Sequence, residues 1–368
     1  MKLRATAMAS AVAAILASPL AIADDVHKVF GQVNISVDST SVSGKGLSAG
    51  QKDGSAAFVG RNKGTGFKSN ASRIGLMGNM ATNLGDARLT YVAELEYTTV
   101  GDAGSKDDSQ VFGREATVGL NSKTYGFIRM GRLTPMYKAN YAAIDPWTDH
   151  VLQARAGGQQ GASSLNANYF NNAIEYRSPN FNGISFSGFY SIMHDKSDQR
   201  MHNAGAMARY LGGNASGVGI RYMKDGIRLA LDTINIDADT IAPGGVGGVN
   251  VKNGNANKLT AEYKTKQYAL AAHYEDATGI NQGTNIFAVG SYYLGHSTFT
   301  ASYGVNQGDS KNTFGTKDAT TMGVGYKYKL NQRSDIIAGY TVHERDNNAG
   351  LSRQASTFTV GIDAKFGY

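Results

Sequence analysis

The chain contains no cysteine, which excludes a disulfide scaffold, thiolate metal ligands and a catalytic thiol. Proline (5) and tryptophan (1) are scarce, and charged residues make up only 18% of the 368 positions. Beyond the first two dozen residues no apolar run approaches the roughly 20 residues that a spanning helix needs. Helices therefore do not carry this chain across a bilayer, and only a β-barrel could. The basic surplus is mild, a formal +7, and scattered along the chain. A nucleic-acid partner would need Lys and Arg gathered on one face. Enzyme signatures are missing as well: there is no G-x-S-x-G, H-E-x-x-H, P-loop or G-x-G-x-x-G. The His residues at 27, 150, 194, 202, 273, 296 and 343 lack metal-ligand spacing. His194 and His202 flank Asp195-Lys196-Ser197-Asp198, the one candidate for a surface metal site, and no cofactor is implied.

What is abundant is glycine (46), tyrosine (20) and phenylalanine (14), a composition rich in turn and strand residues and poor in helix signals. The N-terminus reads differently. Lys2 and Arg4 precede an apolar stretch from Ala5 to Leu16, a helix-breaking Ser18-Pro19, and Ala21-Ile22-Ala23 before Asp24. That order is the signature of a secretory leader cleaved after Ala23. The expected organisation is a signal peptide over 1–23 and a single domain over 24–368.

From 24 onward one unit recurs: a strand of alternating polarity, then a turn or a Gly/Asn/Asp/Ser-rich loop. The first strand places Val29, Gly31, Val33, Ile35 and Val37 on one face and Phe30, Gln32, Asn34, Ser36 and Asp38 on the other. Seven hairpins follow: 72–80 with 87–98, 112–121 with 124–132, 172–178 with 184–192, 216–223 with 227–236, 257–264 with 268–275, 285–294 with 297–306, and 319–330 with 334–344. A closing strand at 355–368 brings the total to sixteen. Short turns alternate with long polar connections at 39–71, 133–171, 193–215, 237–256 and 307–318. Short turns on one side and long loops on the other describe an all-β, sixteen-stranded antiparallel transmembrane barrel, with turns in the periplasm and loops outside. A secreted sandwich or propeller would carry denser Leu, Ile and Val on its core faces. Tyr at strand ends, among them Tyr91, Tyr97, Tyr190 and Tyr263, fits an aromatic girdle. In the last segment Phe358, Val360, Ile362, Ala364, Phe366 and Tyr368 alternate with polar or small residues. This strand is expected to pair with the first, because an open edge in lipid leaves unpaired N–H and C=O groups.

The chain resembles the Gram-negative general (trimeric) porins over essentially its whole mature length. Four stretches carry the resemblance. Val29-Phe30-Gly31-Gln32 resembles the opening strand, and Ser72-Arg73-Ile74-Gly75-Leu76-Met77-Gly78 with Asn83-Leu84-Gly85 the second strand and turn. Phe112 to Leu120, with Tyr125-Gly126 and Met130-Gly131-Arg132, resembles the strands leading into the pore loop. Asn172 to Phe181 resembles the sixth strand and its turn. Two departures stand out: Tyr368 where many members end in Phe, and Gln32 where some carry lysine.

The resemblance implies a third loop (133–171) folded into the barrel as a constriction, acidic loop groups facing a basic wall, and a homotrimer. Carried over by residue, the wall is Arg73, Arg114 and Arg177, with Arg132 and Gln32 beside them. Strand parity agrees for Arg73 and Arg177, which lie out of phase with the apolar set and so face the lumen. Arginine facing lipid at mid-membrane would cost about 2–4 kcal/mol. The loop offers Lys138, Asp145 and Asp149, with Asp145 equally suited to opening a turn or helix. A basic wall opposed by little acid implies a weak preference for anions. The expected function is passive diffusion of small hydrophilic solutes and ions across a Gram-negative outer membrane. A solute-specific channel for phosphate or another small anion is the alternative, ahead of a barrel enzyme or adhesin. The expected surroundings are the lipid bilayer, lipopolysaccharide, and the barrel-assembly machinery acting through the C-terminal strand.

Overall fold

The computed structural model describes residues 25–45, 63–97, 111–154, 161–167, 169–192, 199–200, 209–242, 252–308, 316–347 and 352–367. The expected leader (1–23), Asp102, Asp107 and Asp108 in the expected extracellular loop 99–110, Arg155 in the 133–171 connection, His194, His202 and Tyr368 fall outside them. Among the described residues the barrel comprises β1 (Val26–Lys45), β2 in two pieces (Gly64–Ser69 and Arg73–Ala81), β3 (Arg88–Tyr97), β4 (Val111–Ser122), β5 (Gly126–Leu133), β6 (Phe170–Arg177), β7 (Ile184–Ile192), β8 (Asn214–Lys224), β9 (Ile227–Asp237), β10 (Gly254–Lys264), β11 (Tyr268–Asp276), β12 (Thr284–Leu294), β13 (Ser297–Gln307), β14 (Thr316–Asn331), β15 (Ser334–Asn347) and β16 (Ser352–Phe366). Each pairs antiparallel with the next, and β1 pairs with β16 from Gly31↔Phe366 to Lys45↔Ser352. The barrel is therefore closed, and no strand edge meets lipid.

The alternation of side chains explains why these segments are strands. In β16, Phe358, Val360 and Ile362 are exposed on the outside, while Thr357, Thr359 and Asp363 are buried on the inside. One face thus meets lipid and the other a polar interior. The outer surface closes tightly where the ends meet: a Cβ at Gly31 would overlap the Phe366 ring, so only glycine admits that aromatic.

Two features exceed the expected pattern. β1 continues to Lys45 and β2 begins at Gly64, so much of the expected 39–71 connection is strand. In addition, β2 is interrupted at Asn70–Ser72, where Ala71 takes φ 54. Two register shifts then re-aim side chains near the pore. Opposite β3, Arg114 and Glu115 share the space of one residue between Ala93 and Leu95. A second shift lies between Gly131 and Leu133. Such bulges turn adjacent residues toward one face, and here both Arg114 and Glu115 form ion pairs inside the barrel.

Candidate pore constriction

The connection between β5 and β6 folds into the barrel. It opens with helix α1 (Met136–Ile144), continues through turns from Asp145 to Ala154, and returns through 161–167 to Tyr169. The base of α1 carries no acidic residue of its own in the first turn. Glu175 of β6 supplies one, accepting from the Met136 backbone N–H at 3.0 Å where a helix start favours negative charge. Arg129 and Arg177 each hold that carboxylate at 2.8 Å, and Arg129 also pairs with Glu115. Both arginines donate to the Thr134 carbonyl.

The helix lies against β9 to β11. Asn140 donates to Asp232 at 2.8 and 3.1 Å. Fully buried Glu275 accepts from Tyr137 Oη (2.6 Å), Ser163 N (2.7 Å), Ser163 Oγ (2.8 Å) and Asn166 Nδ2 (2.9 Å). Lys258, buried beside it, donates to Asn166 Oδ1 and the Tyr137 carbonyl. Past the helix, Trp147 drops onto β14 in a recess that exists because residue 325 is glycine. Val151, Leu152 and Ile337 complete that apolar anchor, and Lys327 lies over the indole at 4.6 Å.

The far tip of the loop reaches the opposite wall. Asp149 Oδ2 lies 2.9 Å from Arg73 Nη1 and 3.5 Å from Arg114 Nη2. His150 Nε2 lies 2.9 Å from Asn34 Nδ2. Since Asn34 Oδ1 already accepts from Asn70, its amide must donate to His150, whose Nε2 is then unprotonated. Burial agrees, pulling the His150 imidazole down to about 3.

Arg73, Arg114 and Asp149 thus lie together, and two strand carboxylates join them. Glu94 holds Arg73 Nε at 3.0 Å and Arg114 Nε at 3.4 Å, and Glu96 holds Arg114 Nη1 at 2.6 Å. Both carboxylates were open to the parity argument, being out of phase with Leu95 and Tyr97. Arg132 and Lys138 meet elsewhere on the same wall. They lie 4.9 and 3.6 Å from the centroid of Tyr169, with Arg114 on the same ring at 5.7 Å. Burial pushes the Tyr169 phenol up to about 12, so the ring faces its cations neutral.

The remaining candidates sit apart. Arg177 belongs to the Glu175 cluster at the base of the loop, not to the Arg73–Arg114 pair. Gln32 donates to Asp363 at 2.7 Å on the inner wall. Asp145 terminates α1 and is buried, accepting from Tyr141 Oη and the Trp147 N–H, so its carboxylate shapes the turn.

A closed barrel with a polar, charge-lined interior and a loop bridging its lumen defines a transmembrane pore. The family model of the Gram-negative porins matches residues 7–348, and the chain belongs to that family. An outer membrane porin protein of Bordetella pertussis is 27% identical over 321 residues, covering 80% of this chain and 81% of that protein. Among solved structures, an anion-selective porin from Comamonas acidovorans superposes with a TM-score of 0.67 at 17% identity, over 93% of this chain and 100% of that one. The outer membrane channel DcaP of Acinetobacter baumannii gives 0.66 at 14% identity, over 94% and 99%. At these identities the structural likeness speaks for the fold alone. The protein is an outer-membrane porin, a channel for passive diffusion of small hydrophilic solutes and ions.

Proposed function

We propose that solutes cross this barrel down their gradients with a weak preference for anions, set where the loop tip meets the wall. One observation carries the sign. Among the described residues around Tyr169 and Asp149, four cations (Arg73, Arg114, Arg132 and Lys138) stand with three carboxylates (Glu94, Glu96 and Asp149). The surplus is small because the strands supply acid that the loop does not. Two unit charges about 8 Å apart interact by roughly 2 kcal/mol at an effective dielectric near 20, and by less in a wet lumen. Physiological salt screens over about 8 Å, so a passing ion senses this wall only at close range. A residual near one RT, about 0.6 kcal/mol, gives a severalfold ratio between ions of opposite sign.

The loop sets the size limit through its attachments, among them those at Glu175, at Glu275, at the Trp147 anchor and at the Asp149–His150 tip. Nothing in this mechanism consumes energy or needs a cofactor; selectivity is a matter of lining charge and steric access. The Comamonas neighbour, described as anion-selective, is compatible with this reading. By family membership we assign a homotrimer to the assembled state, in lipopolysaccharide-bearing membrane reached through the barrel-assembly machinery. Unheated samples in mild SDS should migrate as trimers, and a monomer in gentle extracts would refute that assembly. The selectivity is tested by replacing Arg73 and Arg114 with serine. Conductance should rise and the reversal potential in a KCl gradient should move toward potassium; an unchanged potential at low salt would exclude these arginines from the selective zone.

A further inference from the structure

We propose that the outer face of β9–β13 is a binding site for one anionic phospholipid, with an acyl chain in an apolar trough and the phosphate on lysines at the short-turn end. The trough has a volume of about 740 Å³, inside the roughly 300–1,000 Å³ of small-molecule sites. Its floor consists of Ala261, Ala272, Ala288, Gly290 and Ala301, which register places side by side on five neighbouring strands with Leu229 and Tyr303 at the two ends. Two residues further from the short turns the same strands present Leu259, Tyr274 and Ile286, and on the other side Tyr268, Tyr292 and Phe299, all exposed. The groove is therefore side-chain volume left out between two tall rows. An apolar recess facing hydrocarbon forfeits dispersion contacts unless a chain fills it, and a chain lying there touches a floor and two walls where a flat surface offers one.

Direction and charge specify the occupant. Along the row Ile227–Tyr263–Leu270–Gly290–Ala301, Ile227 opens β9, Leu270 is the third residue of β11 and Ala301 the fifth of β13. The trough thus starts at the short-turn end and climbs into the wall. Strands about 4.8 Å apart put β13 about 19 Å from β9, room for the about 15 Å that one leaflet contributes to a 30 Å hydrocarbon core. At the low end the Tyr263 and Tyr268 rings meet edge-on with centroids 6.0 Å apart, on either side of the 264–267 turn, which marks headgroup level. That end is cationic. The two turns beside it carry Lys224, Lys264 and Lys266 against the single acid Asp225. Lys266 is exposed between the two tyrosines, and Lys224 lies opposite Ile227 and donates to the neutral Asn182 Oδ1 at 2.8 Å. Basic groups at headgroup level attract anionic lipid, and a phosphate there leaves its own chain at the mouth of the trough. The convex wall of a second barrel could not fill a groove that crosses five strands.

The test is native mass spectrometry of the intact barrel in mild detergent, loaded with phosphatidylglycerol or with phosphatidylethanolamine and stripped stepwise. Wild type should keep phosphatidylglycerol severalfold more than phosphatidylethanolamine at the energy that removes the bulk lipid. Ala272→Leu with Ala288→Leu fills the trough while leaving apolar residues on a lipid face, and should lower phosphatidylglycerol retention severalfold. Lys224→Ala with Lys266→Ala leaves the trough open and should bring phosphatidylglycerol down to the phosphatidylethanolamine level. Folding is checked by heat-modifiable migration; if the double leucine variant does not fold, Ala301→Leu alone carries the comparison. Undiminished retention in the filled variant, or a preference for phosphatidylglycerol that survives loss of both lysines, overturns the proposal. So does lipopolysaccharide that displaces phosphatidylglycerol from wild type and is itself lost on filling, which would make the outer-leaflet lipid the occupant, and so does a filled variant that folds but no longer assembles with other copies, which would make the face an interface between barrels. None of these outcomes depends on the sign of the pore's ion preference.

Discussion

Glu275 is the most informative single position for asking whether the loop is held or merely rests in the lumen. Its carboxylate takes four donors between 2.6 and 2.9 Å, all from loop residues, and it lies fully buried. Hydrogen bonds to a charged acceptor are worth about 1.5–3 kcal/mol each, though not additively within one network. Removing the carboxylate also takes one of two nearby carboxylates from buried Lys258, which keeps Asp232, so only part of the about 3–5 kcal/mol cost of a fully uncompensated buried charge applies. Glu275→Ala should therefore weaken loop docking by on the order of 4 kcal/mol, roughly a thousandfold in the docked-to-undocked ratio. The loss falls on the loop and not on the barrel, because the β10–β11 and β11–β12 ladders do not use this side chain. Heat-modifiable folding should survive while single-channel records show a larger mean conductance and added low-frequency noise. Glu275→Ala combined with Lys258→Met, which removes the charge left less compensated, should be quieter than Glu275→Ala alone. A Glu275→Ala channel with wild-type conductance and wild-type noise would refute the latch.

Three further outcomes follow from the same structure. The buried His150 imidazole sits at about 3 in the folded state against 6.5 ordinarily. Its contribution is therefore fully present above about pH 6.5 and is lost as pH falls toward 3, reaching a cost of roughly 2–3 kcal/mol near pH 4.5. Channel noise should rise on acidification in wild type and less in His150→Gln; identical acid responses would contradict this. Of the arginines singled out from sequence, Arg73→Ser and Arg114→Ser should each move the reversal potential more than Arg177→Ser, which should mainly loosen the loop base through Glu175; an equal or larger shift from Arg177→Ser would reverse the assignment. Finally, Gly31→Val should sharply reduce the yield of heat-modifiable barrel, because a Cβ at 31 meets the Phe366 ring at the β1–β16 seam, and a normal yield would show that the seam tolerates side chains there.

The membrane-embedded parts of the strands were legible because lipid demands an apolar residue at every second position. The segment 184–192 coincides with β7, and 227–236 falls one residue short of β9. That demand lapses outside the bilayer. In β1 the run Ser39 to Lys45 shows no apolar alternation, yet it continues to pair with β16. Pore charges were partly legible by the same parity. Parity agrees for Arg73, which the family resemblance supplies, and Glu94 and Glu96 obey the same rule on a strand where the resemblance points to no acid. Arg114 and Glu115 could not both have been placed inside by alternation, since only the bulge opposite Glu94 turns two neighbours to one face. The loop attachments were out of reach altogether. Glu275 meets Ser163 across 112 positions and Lys327 meets Pro146 across 181, so no local pattern records them. Asp145 shows the opposite case, a residue whose Asp-Pro context already suggested a turn and whose carboxylate serves one.

The account stands or falls most directly on the wild-type protein in a planar bilayer under a KCl gradient. It predicts discrete, ohmic conductance steps with a reversal potential displaced modestly toward chloride, the displacement shrinking as salt is raised and the Arg73–Arg114 wall is screened. Absence of discrete steps would contradict the pore itself, and a reversal potential on the potassium side would contradict the charge balance assigned to its constriction.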